Sequence, residues 1–257
     1  MTQHVVISDA SGVLRIRINR PEKKNALTRK MYQTLAEAIE RSDVDPAIRV
    51  ITISGTGDAF TSGNDLVDFL DSQSPEADRS TMRFLAAISR ACKPLLAGVN
   101  GLAVGIGVTM LLHCDLVYAA EEATFQLPFV NLGLVPEAAS SLLLPRLIGH
   151  HRAAELFFFG NKFDAQAAHR MGLVNAVKSR SSLEAVLDEL AAGLAAKPPA
   201  ALQITKKLLK GAAFDAAVSA QLDEEQTHFE RQLRSPEARE AMEAFLQKRT
   251  PDFSRIS

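Results

Sequence analysis

Near its start the chain alternates cleanly. Leu14, Ile16 and Ile18 fall on one side and Arg15 and Arg17 on the other, the period-two pattern of a half-buried strand. Val5, Val6 and Ile7 precede it across the turn-rich residues 8–12, so the two segments predict a hairpin that ends at Arg20-Pro21. Thr28 is placed to cap a helix with Met31, Leu35, Ala38 and Ile39 at helical spacing, and Asp45-Pro46 breaks it. Residues 50–53 read as a buried strand closed by Gly55-Thr56-Gly57, and a loop with glycine and serine follows over residues 59–66. Residues 67–80 are polar and predict a further loop. Met82, Leu85, Ala86 and Ile88 predict a helix to about Cys92. Residues 95–99 read as a strand, Asn100-Gly101 as a turn into a helix over 105–112, and residues 116–119 as a strand again.

After Glu137 helices dominate, over residues 142–148, 152–159 and 165–171, with one short strand at 173–177. Lys197-Pro198-Pro199 is the clearest breaker and divides residues 1–197 from residues 198–257. Beyond it lie amphipathic helices at about 200–211, 215–234 and 236–248. Alternating strands and helices followed by helices alone predict an α/β core with a helical appendage.

The bulk numbers trim the functional options. A net charge of -1 leaves no global field for nucleic acid or anionic lipid, so neither is expected as a partner. A local basic patch for a phosphate stays open. Cys92 and Cys114 form no C-x-x-C pair, so the reading is two reduced thiols, neither a disulfide framework nor a zinc site. The first residues lack a basic region followed by a long apolar stretch, and the most apolar region, 94–112, is interrupted by Asn100 and four glycines. No membrane span is expected, and the location expected is cytoplasmic.

Metal chemistry has no pattern to stand on, because none of the six histidines belongs to a motif of the H-E-x-x-H kind. His113-Cys114-Asp115 spells a triad, yet consecutive residues on a helix point in different directions, so they read as structural residues at a helix end. Gly55-Thr56-Gly57 and Gly105-Ile106-Gly107 lack the rest of a dinucleotide fingerprint and are explained by turn chemistry.

Taken in order, several soft motifs become specific. They are Asn19-Arg20-Pro21 with Asn25-Ala26-Leu27, Ala59-Phe60-x-x-Gly63-x-Asp65, and Asn100-Gly101-x-Ala103-x-Gly105. Cys114-Asp115-x-x-Tyr118-Ala119 and Leu132-Gly133-Leu134-x-Pro136 complete the set. Over most of the first 180 residues this series resembles the crotonase (enoyl-CoA hydratase/isomerase) superfamily. The resemblance implies a spiral of ββα turns followed by helices that mediate trimerisation, hence a homotrimer or a dimer of trimers. It implies an acyl-CoA substrate and no separate cofactor. It also implies an oxyanion hole made from two backbone N–H groups, which by position are those of Asn64 and Ile106. Such donors stabilise the enolate formed when a proton leaves the carbon beside a thioester, more than they stabilise the neutral carbonyl.

The hydratases of this family use two glutamates, and the matching positions here are Thr109 and Phe129. Pro128-Phe129, Leu132-Gly133-x-x-Pro136-Glu137 and Ser140-Ser141 are similar instead to the peroxisomal type of Δ3,Δ2-enoyl-CoA isomerase, in which the glutamate after the proline is the single base. The acyl-CoA-binding extension of some of its members is not expected here. The resemblance therefore implies Glu137 as the base, in an apolar surround of Phe129, Val130, Leu134 and Val135. For the residues alone, an acid in the first turn of a helix explains Pro136-Glu137 as well. Asp65 reads as a loop-fixing acid that bonds backbone N–H groups. By resemblance Lys24, Ala26, Ser62, Gly63, Asp65, Leu66, Gly105 and Phe129 line the substrate path; apart from the resemblance, the loop over residues 68–80 is the segment expected at the acyl end. Lys23, Lys24, Lys206, Lys207 and Lys210 are all open for the CoA phosphates, and the sequence does not choose. Another crotonase reaction (dienoyl-CoA isomerisation, hydrolysis, last of all hydration) and a non-catalytic acyl-CoA-binding role are the competing readings.

Overall fold

The computed structural model describes residues 4–65, 75–211, 213–247 and 249–256. Two sheets form the frame. The larger has six strands in the order β1 (Val5–Ala10), β2 (Val13–Ile18), β3 (Val50–Gly55), β5 (Leu95–Val99), β7 (Leu116–Ala120) and β10 (Ala176–Lys178). β1 is antiparallel to β2 and every later neighbour is parallel. The smaller has the order β4 (Ala59–Thr61), β6 (Leu102–Val104), β8 (Thr124–Gln126) and β9 (Phe163–Asp164), with only β9 antiparallel.

Each strand of the large sheet from β3 to β7 hands directly to one of the small sheet: β3 to β4, β5 to β6, β7 to β8. A helical segment then returns the chain, α2 (Pro75–Arg90) after the first turn and α3 (Ile106–Thr109) with the 3-10 turn Met110–His113 after the second. Successive turns stack through parallel pairing, which is the expected ββα spiral. Tight corners hold the turns together. A Cβ at Gly101 would stand 2.0 Å from Asp58 O, so only glycine fits that corner. Asn100 ties it by accepting from Gly55 N at 3.0 Å and donating to Gly57 O at 2.8 Å and Ala59 O at 3.1 Å.

Alternation in β2 sorts the faces. Leu14, Ile16 and Ile18 enter the main core with Ile51, Ile53 and Ala97, and with Leu35 and Ile39 of α1 (Arg29–Val44). Thr28 caps α1, its side chain accepting from Met31 N. Arg15 and Arg17 face the other way, where α7 (Arg180–Ala195) covers them and pairs them with Asp188 and Glu184. Val13, Val50 and Leu96 pack there against Leu187, Ala191 and Ala195.

Several expectations need correction. α7 is a sixteen-residue helix that the sequence pattern did not suggest. α2 begins at Pro75, so the loop expected over 67–80 ends earlier; residues 66–74 lie outside the described residues. The helix expected at 105–112 is α3 followed by the tighter Met110–His113 turn. The strand expected at 173–177 is Ala176–Lys178, because the N–H groups of Leu173 and Val174 close α6 (Ala165–Met171) on Ala168 O. Four strands of two or three residues, β4, β6, β8 and β9, make a second sheet that periodicity does not signal.

Two further helices, α4 (Ser140–Ile148) and α5 (His150–Phe159), lie between the spiral and α6. The last helices are α8 (Pro199–Lys210), α9 (Phe214–Leu233) and α10 (Pro236–Leu246). α9 buries Val218, Leu222, Glu225 and Phe229 against its own chain, whereas α8 leaves Ile204, Leu208 and Leu209 exposed. Among the described residues no helix is long and apolar enough to cross a membrane.

Candidate active site

Two loops leave the first two turns of the spiral side by side. Leu27 bridges Asn64 in parallel fashion: its N–H donates to Gly63 O at 2.8 Å and its carbonyl accepts from Asp65 N at 2.9 Å. Because flanking groups of an extended segment alternate in direction, the N–H of Asn64 points away from Leu27. Ile106 is the first residue of α3, where a helix N–H has no intrahelical acceptor. Among the described residues neither N–H has a hydrogen-bond partner.

The loops touch through their glycines. Gly63 has φ +96°, and a Cβ there would meet Val104 O at 3.2 Å. Gly105 has φ +54° and its N–H is held by Gln126 O at 2.9 Å. The first loop is braced from the side. The Tyr32 hydroxyl donates to Asn64 Oδ1 at 2.5 Å, and Arg20 pairs with Asp65 at 2.5 Å. Buried Asn25 accepts from Arg20 N and donates to Thr56 O and Ala59 O. Asp65 meets the Arg20 guanidinium, a partner that the sequence reading, which expected backbone N–H groups, did not name. Ser62 N bonds Lys24 O at 3.0 Å, and Ala26 is buried with its carbonyl on Arg20. Leu66 lies outside the described residues.

Glu137 comes from the third turn. The chain runs from β8 through the 3-10 turn Val130–Leu132 and Gly133 to Pro136, and α4 begins only at Ser140. Glu137 therefore stands ahead of the helix and outside its first turn, which removes the dipole explanation. Its Oε1 accepts from the Thr109 hydroxyl at 2.6 Å. Burial is the largest influence on this carboxyl and pushes it up to about 8; the Thr109 bond opposes the rise and the charge of Glu225 adds to it. Phe129 and Leu134 are buried nearby in sequence, Phe129 with its ring 6.3 Å from Phe157, but Val130 is 46% exposed and does not contribute to an apolar surround.

The backbone after Glu137 is unusual. Ala138 and Ala139 both lie in the left-handed region, at φ +63° and +55°. For residues with a Cβ this costs on the order of 1–2 kcal/mol each, so neighbouring contacts must hold it. His113 Nε2 donates to Ala138 O at 2.8 Å; burial keeps that imidazole neutral, down to about 4. Ala139 N donates to Glu225 Oε2 at 2.6 Å.

The remaining expected residues divide. His113, Cys114 and Asp115 point to three places, Ala138 O, Met110 O and the pair Leu95 N and Lys206, as expected of structural residues. Two lysines left open for phosphate are spent elsewhere: Lys206 is buried on Lys93 O and Asp115, and Lys210 donates to Ser89 O. Lys24 pairs with Asp58 at the surface. Sequence reading missed Tyr32, Arg20 and Glu225 as holders of the site. For Glu225 a signal existed: Leu222, Glu225 and Phe229 share one helical face, so an acid sits in an apolar stripe. Among the described residues no group of histidines, cysteines and acids could hold a metal ion.

Comparison with known proteins agrees with this fold. A family model described as enoyl-CoA hydratase/isomerase matches residues 8–255. A crystal structure of an enoyl-CoA hydratase/isomerase from Pseudoalteromonas atlantica T6c is 43% identical, with TM-score 0.93, over 98% of this chain and 100% of that one. The 1,2-epoxyphenylacetyl-CoA isomerase of Escherichia coli K12 is 34% identical over 99% of both chains. Enoyl-CoA delta isomerase 2 of Rattus norvegicus is 36% identical over 80% of this chain but only 54% of its own length. With two stacked sheets wound as one spiral and a family match that runs almost end to end, the chain belongs to the enoyl-CoA hydratase/isomerase family of the crotonase superfamily, a family that acts on acyl-CoA.

Proposed function

We propose that the protein is a Δ3,Δ2-enoyl-CoA isomerase with Glu137 as its single base. The observation that carries this reading is the 2.6 Å bond from Thr109 to Glu137. Where a hydratase of this family has a glutamate, this chain has a threonine whose hydroxyl touches Glu137. Glu137 takes a proton from C2 of a 3-enoyl thioester. The electron pair moves through the thioester carbonyl, whose oxygen receives hydrogen bonds from the N–H groups of Asn64 and Ile106. Glu137 then returns the proton to C4 and the double bond settles between C2 and C3. A base whose carboxyl titrates near 8 is well matched to this work, because its conjugate acid is also a competent donor near neutral pH. Binding falls to the backbone around Ala26, Ser62, Gly63 and Gly105 and to the wall at Phe129, while Lys24 and Asp65 hold those loops in place. Leu66 belongs to the same path in this reading.

The test is conversion of trans-3-hexenoyl-CoA to the 2-enoyl thioester. Glu137→Gln is expected to lower kcat by about 10²–10⁴-fold, the range for loss of a general base, with acyl-CoA binding retained. A variant as fast as wild type sinks the single-base mechanism. The full-length likeness to the 1,2-epoxyphenylacetyl-CoA isomerase supports a second reading, isomerisation of a ring epoxide carried on a CoA thioester at the same site. Turnover of that substrate but not of 3-hexenoyl-CoA would select it.

A further inference from the structure

We infer that Glu225, on the C-terminal helix α9, is a positioning residue for Glu137 and works by clamping the strained backbone between that base and helix α4. The inference rests on the reading of Glu137 as the base. Its geometry is independent of that reading. Glu225 is buried and uses both carboxylate oxygens: Oε2 accepts from Ala139 N at 2.6 Å, and Oε1 accepts from Ser141 N at 2.9 Å and from the Ser141 hydroxyl at 2.5 Å. Gln221, one helical turn earlier, donates to the same hydroxyl at 3.1 Å, which leaves that hydroxyl free to donate onward. Every partner of Glu225 is thus a donor, which favours the carboxylate against the burial that raises this group above its ordinary value.

These bonds bracket the place where the chain needs holding. Ala138 and Ala139 lie in the left-handed region immediately after Glu137. Ala139 also precedes α4, so its N–H has no helical carbonyl to meet. Glu225 meets it from the far side of the fold, and His113 fixes the Ala138 carbonyl from the other. Were Glu225 only a helix cap, any acceptor at the α4 terminus would serve. Here the capped residues begin two positions after the base, so a shift of the cap moves the carboxyl that must reach two carbons of the substrate. The same helical region braces the approach to Glu137, where a Cβ on Gly133 would stand 2.6 Å from Ala238 N of α10.

Charge supplies a readout that simple scaffolding would not. The groups that act on Glu137 are Thr109 and Glu225; those on Glu225 are Ser141, Ala139 N and Glu224; and Lys206 and Lys210 act on His113. Removing the charge of Glu225 removes a like charge from Glu137, so the Glu137 carboxyl should titrate lower.

The experiment follows the Glu137 titration by NMR on protein carrying ¹³C-labelled glutamate, with the resonance assigned through Glu137→Gln. It is paired with kcat and KM on trans-3-hexenoyl-CoA for wild type, Glu225→Gln and Ser141→Ala. Glu225→Gln puts an amide N–H in place of an acceptor oxygen, facing a donor that the carboxylate accepts from. The expected result is a lower Glu137 titration point, a kcat on the alkaline plateau reduced by about 10–100-fold, as for a misplaced catalytic group, and an unchanged KM. Ser141→Ala should move both quantities the same way by less. A folded Glu225→Gln protein with unchanged titration and unchanged plateau kcat overturns the inference. If Glu225→Gln does not fold, an unchanged Ser141→Ala overturns it. Wild type that never turns over 3-hexenoyl-CoA sinks the isomerase reading instead, and the titration still decides the clamp.

Discussion

The Glu137 carboxyl is governed by three neighbours of different kinds: the protein that shields it from water, the Thr109 hydroxyl, and the charge of Glu225. Each predicts its own change. Thr109→Val keeps the shape and removes the donor that favours the charged form. The acidic limb of the kcat–pH profile should therefore move to higher pH, and a limb that stays put or falls would contradict the hydroxyl's part. Stability carries the same signature. The folded carboxyl titrates near 8 and its ordinary value is 4.5, so between those values the folded state holds the proton more tightly than the unfolded chain. Glu137 therefore makes stability fall as pH rises through that window, by on the order of a few kcal/mol once both states are ionised. Urea unfolding at pH 5 and pH 9 should show wild type losing more stability than Glu137→Gln. Equal losses would mean that the carboxyl is better solvated than its surroundings indicate.

Short elements, more than long ones, place the reacting groups. β4 and β6 have three residues each, yet their pairing sets the two N–H loops side by side. Asn100 holds the corner that starts this pairing, with three hydrogen bonds to Gly55, Gly57 and Ala59. Asn100→Ala leaves the Gly55 N–H without that acceptor and should lower unfolding stability by about 1–3 kcal/mol in urea titration. Gly63→Ala tests the loops themselves. Its φ of +96° and the Val104 carbonyl at 3.2 Å disfavour any side chain, so kcat should fall together with about 1–2 kcal/mol of stability, the cost of a Cβ in that backbone region. A large drop in melting temperature with normal kcat would show that the glycine serves the fold alone.

Across the whole molecule the C-terminal helices do two different things. α9 and α10 pack inward on the segment that carries Glu137. α8 turns Lys206 inward and presents Leu208 and Leu209 to solvent at 74% and 83% exposure. Apolar residues this open on one helix predict a surface that another chain covers, and the trimer that the family resemblance implies is the form to test. Sedimentation equilibrium of wild type should give a multiple of the chain mass, and Leu208→Asp with Leu209→Asp should give the single chain. A wild-type monomer would leave those leucines without an assembly role.

Much was readable in the sequence by itself. The hairpin β1–β2, the capped helix α1 and the strands β3, β5 and β7 follow from periodicity, because a strand or helix face that must be buried repeats its apolar residues at a fixed local interval. The ordered glycine and asparagine motifs marked both loops, because tight backbone approach admits few residue types, while Glu137 was reached only through the family resemblance. The rest was decided by approach between distant segments. The small sheet is built of strands too short to show a period. α7 covers the arginine face of β2, whose alternation reads equally well as a solvent face. Lys206 and Lys210 resemble surface cations until the fold turns them onto carbonyls. Thr109 reaches Glu137 across 28 positions and Glu225 reaches Ala139 across 86. Local patterns carry no record of such distances, since a hydrogen bond needs only that two groups meet, wherever in the chain they began.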